Sequence, residues 1–418
     1  MKFITDIEEK KYEEFVLNSN KSHFLQSTDW GTFSKDNKKI IPHYVALLND
    51  KEKVVASALL LEKSLPLGYT YFYSPRGLVL DYNDKELVKE FTGKIKEYAK
   101  TRKCIYLKID PDIKLQDLTI DGEVIDSSNN YDLVEYLKTI GYKHLGFNKA
   151  FEHNEPRYTF RLNLKEGLEY VTNNFHQTTK KVLNKGNLYG LEIYKNDEKY
   201  IDDFYSTMKD TANRENISIY SKTYYLNFYK YLHKNNHSDI YIVYIDKNKT
   251  LEIINKNIED LTTKKDKLTI ENKIKELENQ ISKLVKLKKE IEELKEEKYP
   301  LSSIITAKYG NKVWTVHGGN STLLRNLNAN YLIYYEIIKD AIKEKYEVID
   351  FFGTSYNPKE TDPEYGIYLF KKRLGGEYTE FIGEFDYVFK KFMYFIFNKT
   401  IPLYRNIVKK KNKIKNKK

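Results

Sequence analysis

The stretch YGIYLFKKRLGG, Tyr365 to Gly376, places three consecutive cations, Lys371, Lys372 and Arg373, between an apolar aromatic run and two glycines. The run reads as a strand leaving a core. A strand end has no structural need of three positive charges, so such a mouth suits an anionic or electron-rich group. Other residues able to do chemistry are scattered. Asp110 closes the strand-like run CIYLKID just before Pro111, Arg76 stands in SPRG, and Lys35 follows Trp30 in FLQSTDWGTFSK. His317 precedes Gly318 and Gly319, a pair that predicts a tight turn before a helix, with His317 a structural strand-end residue. The remaining histidines show no ligand spacing, and no serine–histidine–acid arrangement is recognisable. The single cysteine, Cys104, excludes a disulfide framework and a cysteine-based zinc site, and its place in an apolar run makes it a core residue.

The elements that position these residues belong to a chain of 418 residues with formal net charge +11. That length accommodates two or three domains, and 40% hydrophobic residues can bury real cores. The opening MKFITDIEEK has no apolar signal region, and no stretch approaches the roughly 18 apolar residues of a membrane span. The expectation is a cytoplasmic protein whose surface attracts nucleic acid, phosphates or an anionic membrane face.

Two segments read alike. HYVALLND and VVASALLLEK alternate like a hairpin, followed by YFYSPRGLVLD, an amphipathic helix near Asp84 to Lys100, and CIYLKID. DIYIVYID and LSSIITAKYG repeat the hairpin, followed by KVWTVHGGN, a helix near Asn330 to Glu344, and EVIDFFG. The pattern predicts a duplicated α+β fold split near residue 155, where HNEPRY interrupts it. The second copy is itself interrupted. Leu251, Ile254, Ile258 and Leu261, then Ile274, Leu277, Ile281 and Leu284, keep a narrow apolar seam among charged residues. This predicts an antiparallel helical hairpin that projects from a hairpin tip, with Thr269 capping its second helix. The expected boundaries are 1–155 for the first domain, 156–246 with 299–395 for the second, 247–298 for the arm and 396–418 for a basic tail.

Taken together, FLQSTDWGTFSK, YSPRGLVLD, KIDPD, the stretch from His317 to Ile342 and the stretch from Phe351 to Asp386 resemble the Fem family of peptidoglycan interpeptide-bridge aminoacyltransferases. The resemblance runs over nearly the whole chain, is most specific in the closing stretch, and includes members that carry a coiled-coil arm. It implies two GNAT-like domains, in agreement with the duplication. It also implies transfer of glycine, alanine or serine from aminoacyl-tRNA to the stem-peptide amine of lipid II or a UDP-linked muramyl peptide. That reaction is aminolysis of an activated ester and calls for no cofactor, ATP or metal. The protein must orient a neutral amine, accept its proton and stabilise an oxyanion. A basic chain suits the anionic partners so implied: precursor diphosphate, tRNA and the inner membrane face, to which the enzyme is peripheral. A homologous bridge-forming protein is a further implied partner.

The resemblance also assigns residues. Lys371 meets the donor's terminal phosphate or the developing oxyanion, Phe370 stacks on the terminal adenine and Lys372 is a further substrate-binding cation; otherwise Phe370 is core and Lys371 and Lys372 a solvated strand end. Lys35 contacts the diphosphate or is a surface lysine at a helix end. Arg76 is a structural or substrate-cleft arginine. Asp110 is a general base or an acid capping a turn. Tyr224 and Tyr225 fall where the family has a tyrosine near the precursor cleft, but the arginine expected just upstream is replaced by Tyr220 or Ser221. Lys180 and Lys181 stand where arginine is common, and lysine does not reproduce arginine's bidentate grip on phosphate. Two rival classes are a CoA-dependent N-acyltransferase, for which neither half shows the expected Q/R-x-x-G-x-G/A loop, and a noncatalytic RNA- or membrane-bound coiled-coil protein.

Overall fold

Alternating apolar residues give the strands Ile41–Leu48 and Val54–Ser64, antiparallel with Tyr44 opposite Leu59. Their turn is closed by Asn49, whose side chain accepts from the backbone N–H groups of Lys51 and Lys53. The computed structural model describes residues 1–149 and 154–400, which fall into two compact units. The first holds Met1–Thr159, Gly353–Asn357 and the chain from Tyr378; the second holds Phe160–Phe352 and Pro358–Glu377.

In the first unit a sheet runs in the order Lys2–Ile4, Ile41–Leu48, Val54–Ser64, Thr70–Ser74, Cys104–Ile109, Phe385–Val388, Tyr142–His144. Thr70–Ser74 and Cys104–Ile109 are its parallel pair, joined through the helix Lys85–Lys100. Asp84 caps that helix by accepting from Leu87 N at 2.9 Å. Its apolar stripe, Val88, Phe91 and Ile95, is fully buried with Leu60, Phe72 and Leu107 of the sheet. Cys104 is buried there, as expected. Outside this sheet, Lys114–Leu118 pairs with Val124–Asn129 and with Glu380 and Phe381.

In the second unit the strands follow the order Glu192–Lys195, Ile240–Asp246, Lys298–Tyr309, Lys312–Asn320, Val348–Asp350, then Tyr158–Asn163, which belongs to this unit from Phe160 onward. Lys312–Asn320 and Val348–Asp350 are parallel, joined through the helix Asn330–Lys343. Each unit thus contains an antiparallel run, then a helix, then a parallel strand. This is the duplicated α+β order anticipated from the sequence.

The helices Lys247–Asp266 and Glu271–Glu292 fill the connection between Ile240–Asp246 and Lys298–Tyr309. They run antiparallel, with Lys247 Nζ donating to the carbonyls of Glu292 and Leu294 and Lys265 near Glu278. The second helix starts after Ile270 without a side-chain cap, so Thr269 does not cap it. The base is part of the core rather than wholly projecting. Ile254 and Ile291 are fully buried, and Thr250 Oγ1 donates to Tyr189 O at 2.9 Å.

Three further expectations change. Tyr365–Arg373 is a helix, with Tyr368 N donating to Glu364 O, so its amides are satisfied locally and not by a sheet. Tyr368 and Lys371, three apart, are its buried face. His317, Gly318 and Gly319 continue the strand Lys312–Asn320, opposite Ile305, Ile304 and Ser303, and form no turn. Gly319 is required because a Cβ would lie 2.6 Å from Met208 N, on a backbone packed against the strand. Finally, Phe385–Val388, expected in the second domain, pairs with Cys104–Ile109 and so belongs to the first unit. The tail beyond Thr400 lies outside the described residues.

Candidate active site

The helix Tyr365–Arg373 carries Lys371 into the second unit's core. Lys371 is buried and its Nζ donates to the carbonyl of Phe352, a residue in the left-handed region. Burial pushes its pKa down from the usual lysine range to about 7, against the opposing pull of Asp350. Asp350 is the acid nearest in effect. It ends the strand Val348–Asp350, accepts from Arg161 Nε at 2.8 Å and from Phe352 N at 2.8 Å, and is buried. Sequence reasoning passed over both Asp350 and Arg161; an acid at a strand end just before FFG was the available signal.

Phe370 is half-buried, edge-on to Tyr331 and Tyr334 at ring-centroid distances of 4.8 Å each. Lys372 is half-buried and lies over the Tyr368 ring at 5.7 Å, whereas Lys371 is buried. Arg373 ends the helix, its carbonyl accepting from His176 N at 3.0 Å and Thr179 Oγ1 at 2.7 Å. The two glycines then have a geometric reason. A Cβ at Gly375 would stand 2.7 Å from Asn174 O, and one at Gly376 2.8 Å from Arg161 O. The pair lets the chain leaving the helix lie directly against these backbones, which seats Lys371 beside Phe352 and Asp350.

A second group of residues in this unit surrounds His317. Ser221 caps the helix Lys222–His233, and Tyr224 and Tyr225 stand in its first turn. Tyr225 is buried, its hydroxyl accepting from Tyr220 N at 3.2 Å, and burial pushes its pKa up to about 12. Tyr224 stacks on the exposed Tyr220 with centroids 3.9 Å apart. The His317 ring lies 5.1 Å from that of Tyr225, 5.9 Å from Tyr224 and 5.0 Å from Phe228. The structure therefore brings His317, expected to be merely structural, together with both nominated tyrosines. In the neighbouring helix Gln177–Tyr189, Lys180 Nζ donates to Asn173 O at 2.8 Å.

In the first unit Asp110 and Arg76 come together. Asp110 is buried, accepting from Tyr73 Oη at 2.8 Å and from Arg76 N at 2.7 Å. Burial pushes its carboxyl up to about 6, only partly offset by the Arg76 guanidinium. Arg76 adopts a positive φ of 53°, donates from Nη2 to Pro156 O at 2.7 Å and stacks over Phe381 at 4.3 Å. Glu155, absent from the sequence reading, is a second acid of this neighbourhood, its pKa raised chiefly by burial. Lys35 stands apart from them, exposed in the last turn of the helix Thr28–Lys38. Neighbouring Lys38 instead lies over Trp30 at 4.7 Å. Among the described residues no cluster of three or more His, Cys, Asp or Glu side chains could hold a metal ion.

Comparison with known proteins agrees with this architecture. The FemAB family model matches residues 7–400. Lipid II:glycine glycyltransferase of Staphylococcus aureus (strain MRSA252) is 27% identical over 416 residues, 95% of each chain. The crystal structure of FemX superposes with a TM-score of 0.78 at 26% identity, over 94% of this chain and 99% of that one. A conserved protein from Bacteroides thetaiotaomicron shares the fold at a TM-score of 0.51 and 10% identity, over 92% of this chain and 98% of its own. With the match to the family extending over nearly its whole length, the chain belongs to the FemAB family.

Proposed function

We propose that this protein transfers an amino acid from aminoacyl-tRNA to the stem-peptide amine of lipid II, building a peptidoglycan interpeptide bridge. The relatives named for lipid II and glycine support that substrate pair, with glycine the first donor to try. The observation that carries the reading within this chain is the buried Lys371, held on Phe352 O in a position that two glycines make possible.

The neutral amine attacks the ester carbonyl, a C–N bond forms, and the C–O bond to the tRNA ribose breaks. The amine's proton leaves with the ribose hydroxyl. Lys371 stabilises the developing oxyanion; a cation in a low-dielectric setting does so better than one in water. Its lowered pKa keeps an accessible balance between charged and neutral forms near neutral pH. Asp110, whose carboxyl titrates near 6, is the first-unit residue that takes this proton from the amine and returns it to the leaving ribose oxygen. Tyr224 and Tyr225 contact the precursor, Arg76 orders its cleft, and exposed Lys35 meets diphosphate. The arm contacts tRNA. The basic chain rests on the anionic membrane face where lipid II lies; no described helix is long and apolar enough to cross a membrane.

The test is mass spectrometry of lipid II after incubation with the enzyme and total charged tRNA. A mass increase of one or more amino-acid residues, dependent on charged tRNA, is expected. Acyl transfer from acetyl-CoA without tRNA, or no turnover with any donor, contradicts the proposal in favour of the two rival classes.

A further inference from the structure

The hairpin of Val54–Ser64 and Thr70–Ser74 turns through Pro66–Gly68, and Leu67 at its tip is 84% exposed. No other described large apolar side chain is so exposed. The helix Lys391–Phe395 packs beside this turn. The rings of Tyr69 and Phe397 are 6.1 Å apart, and Lys390 Nζ lies 5.2 Å over Tyr69. Met393, Tyr394 and Phe397 face inward onto Tyr106, while Phe392 and Phe395 are 75% and 60% exposed. The inward residues already anchor the segment, so exposing Phe392 and Phe395 beside a turn that exposes Leu67 gives the folded chain nothing. Such a rim signals an interface that water does not occupy.

The charge around the rim says which interface. Lys390 and Lys391 flank the phenylalanines, and exposed Lys143 lies over Tyr394 at 5.3 Å. From Val388 to Lys418 the sequence holds ten lysines and Arg405 but no acid. Aromatic side chains beside a cationic, acid-free segment match the chemistry of an anionic bilayer: rings seat at the acyl boundary and ammonium groups meet headgroup phosphates. A protein groove would satisfy the apolar residues but would gain nothing from cations alone over so long a stretch. We infer that Leu67, Phe392 and Phe395 form an apolar rim that inserts into an anionic membrane surface, with Lys143, Lys390 and Lys391 against its headgroups. This deepens, and rests on, the membrane-face reading above. It adds penetration to what charge alone would give, and so supplies the second of the two signals stable anchoring requires.

The full chain is tested on phosphatidylcholine vesicles with and without phosphatidylglycerol. Leu67→Ser/Phe392→Ser/Phe395→Ser should weaken sedimentation with phosphatidylglycerol vesicles by about tenfold or more at low and high salt alike. Lys390→Gln/Lys391→Gln should weaken it at low salt only. In a Phe392→Trp variant, emission should shift to the blue when phosphatidylglycerol vesicles are added, over a constant background from buried Trp30 and Trp314. The inference is overturned if the triple variant sediments like wild type, if wild type binds neither vesicle, or if the Phe392→Trp emission does not move. Should the triple variant melt early, the Phe392→Trp probe alone decides. Transfer to a water-soluble UDP-linked acceptor separates the two ideas. Turnover on it without insertion refutes only the rim, and insertion without turnover on any acceptor refutes only the transferase reading.

Discussion

The strands Cys104–Ile109 and Val348–Asp350 occupy the same place in their units, each a parallel strand reached through a helix. Each hands over to an acid, through Ile109-Asp110 and Ile349-Asp350. The two carboxyls are treated oppositely. Asp110 takes hydrogen bonds from a tyrosine hydroxyl and a backbone N–H, and burial lifts its pKa to about 6. Asp350 pairs with Arg161 at 2.8 Å and draws on buried Lys371. The strand supplies the slot in both cases. What differs is the segment packed over it: the turn through Arg76 in one unit, the helix Tyr365–Arg373 in the other. A duplicated scaffold can thus hold an acid of raised pKa in one unit and a buried cation in the other without altering its sheets.

Substitutions in the two slots should differ in cost accordingly. Asp350→Asn should have the largest effect, because it leaves Arg161 and Lys371 without their carboxylate. A loss of about 3 kcal/mol in denaturant unfolding is expected, the scale for breaking a largely buried pair. Gly376→Ala should cost about 2 kcal/mol, since a methyl 2.8 Å from Arg161 O forces the chain after the helix away from that slot. Asp110→Asn should cost about 1 kcal/mol at neutral pH, as one hydrogen bond is lost and no ion pair is broken. Its signature is in pH. The folded carboxyl titrates near 6 and the unfolded one near 3.8, so the native state holds more protons between them. Wild-type stability should therefore fall as pH rises from about 4 to about 6, and thermal melts of the Asn variant should lose that slope. Lys372→Met should change stability by no more than about 0.5 kcal/mol, since its cation lies half-buried on a tyrosine ring.

Much of this was legible in the residues. Alternation gave both hairpins and the 3.6-residue stripe gave both crossover helices, because their apolar faces are long enough to separate the two periods. Asp110 and Arg76 stood out as an acid and a cation at the ends of strands, and the structure joins them through Arg76 N. The short run Tyr365–Arg373 was not legible as a helix. Two helical turns with aromatic residues throughout fit either period, and only burial of Tyr368 and Lys371 together decides. Pairing of Phe385–Val388 with Cys104–Ile109 joins residues far apart in the chain, which no local pattern encodes. The meeting of His317 with Tyr224 and Tyr225 was hidden for the same reason, and the glycine pair after it resembled a turn when Gly319 serves the close approach of a helix.

We propose that Lys371 acts on the reacting ester. Steady-state kinetics of Lys371→Met on lipid II, with aminoacyl-tRNA varied to saturation and Lys372→Met alongside, decide this. Methionine keeps an aliphatic stem in the buried slot, so a folded variant is expected and a thermal melt verifies it. For Lys371→Met, kcat should fall by about 10²–10³ and not recover at saturating donor, while Lys372→Met turns over like wild type. A wild-type kcat for Lys371→Met, or a deficit confined to KM, would contradict it.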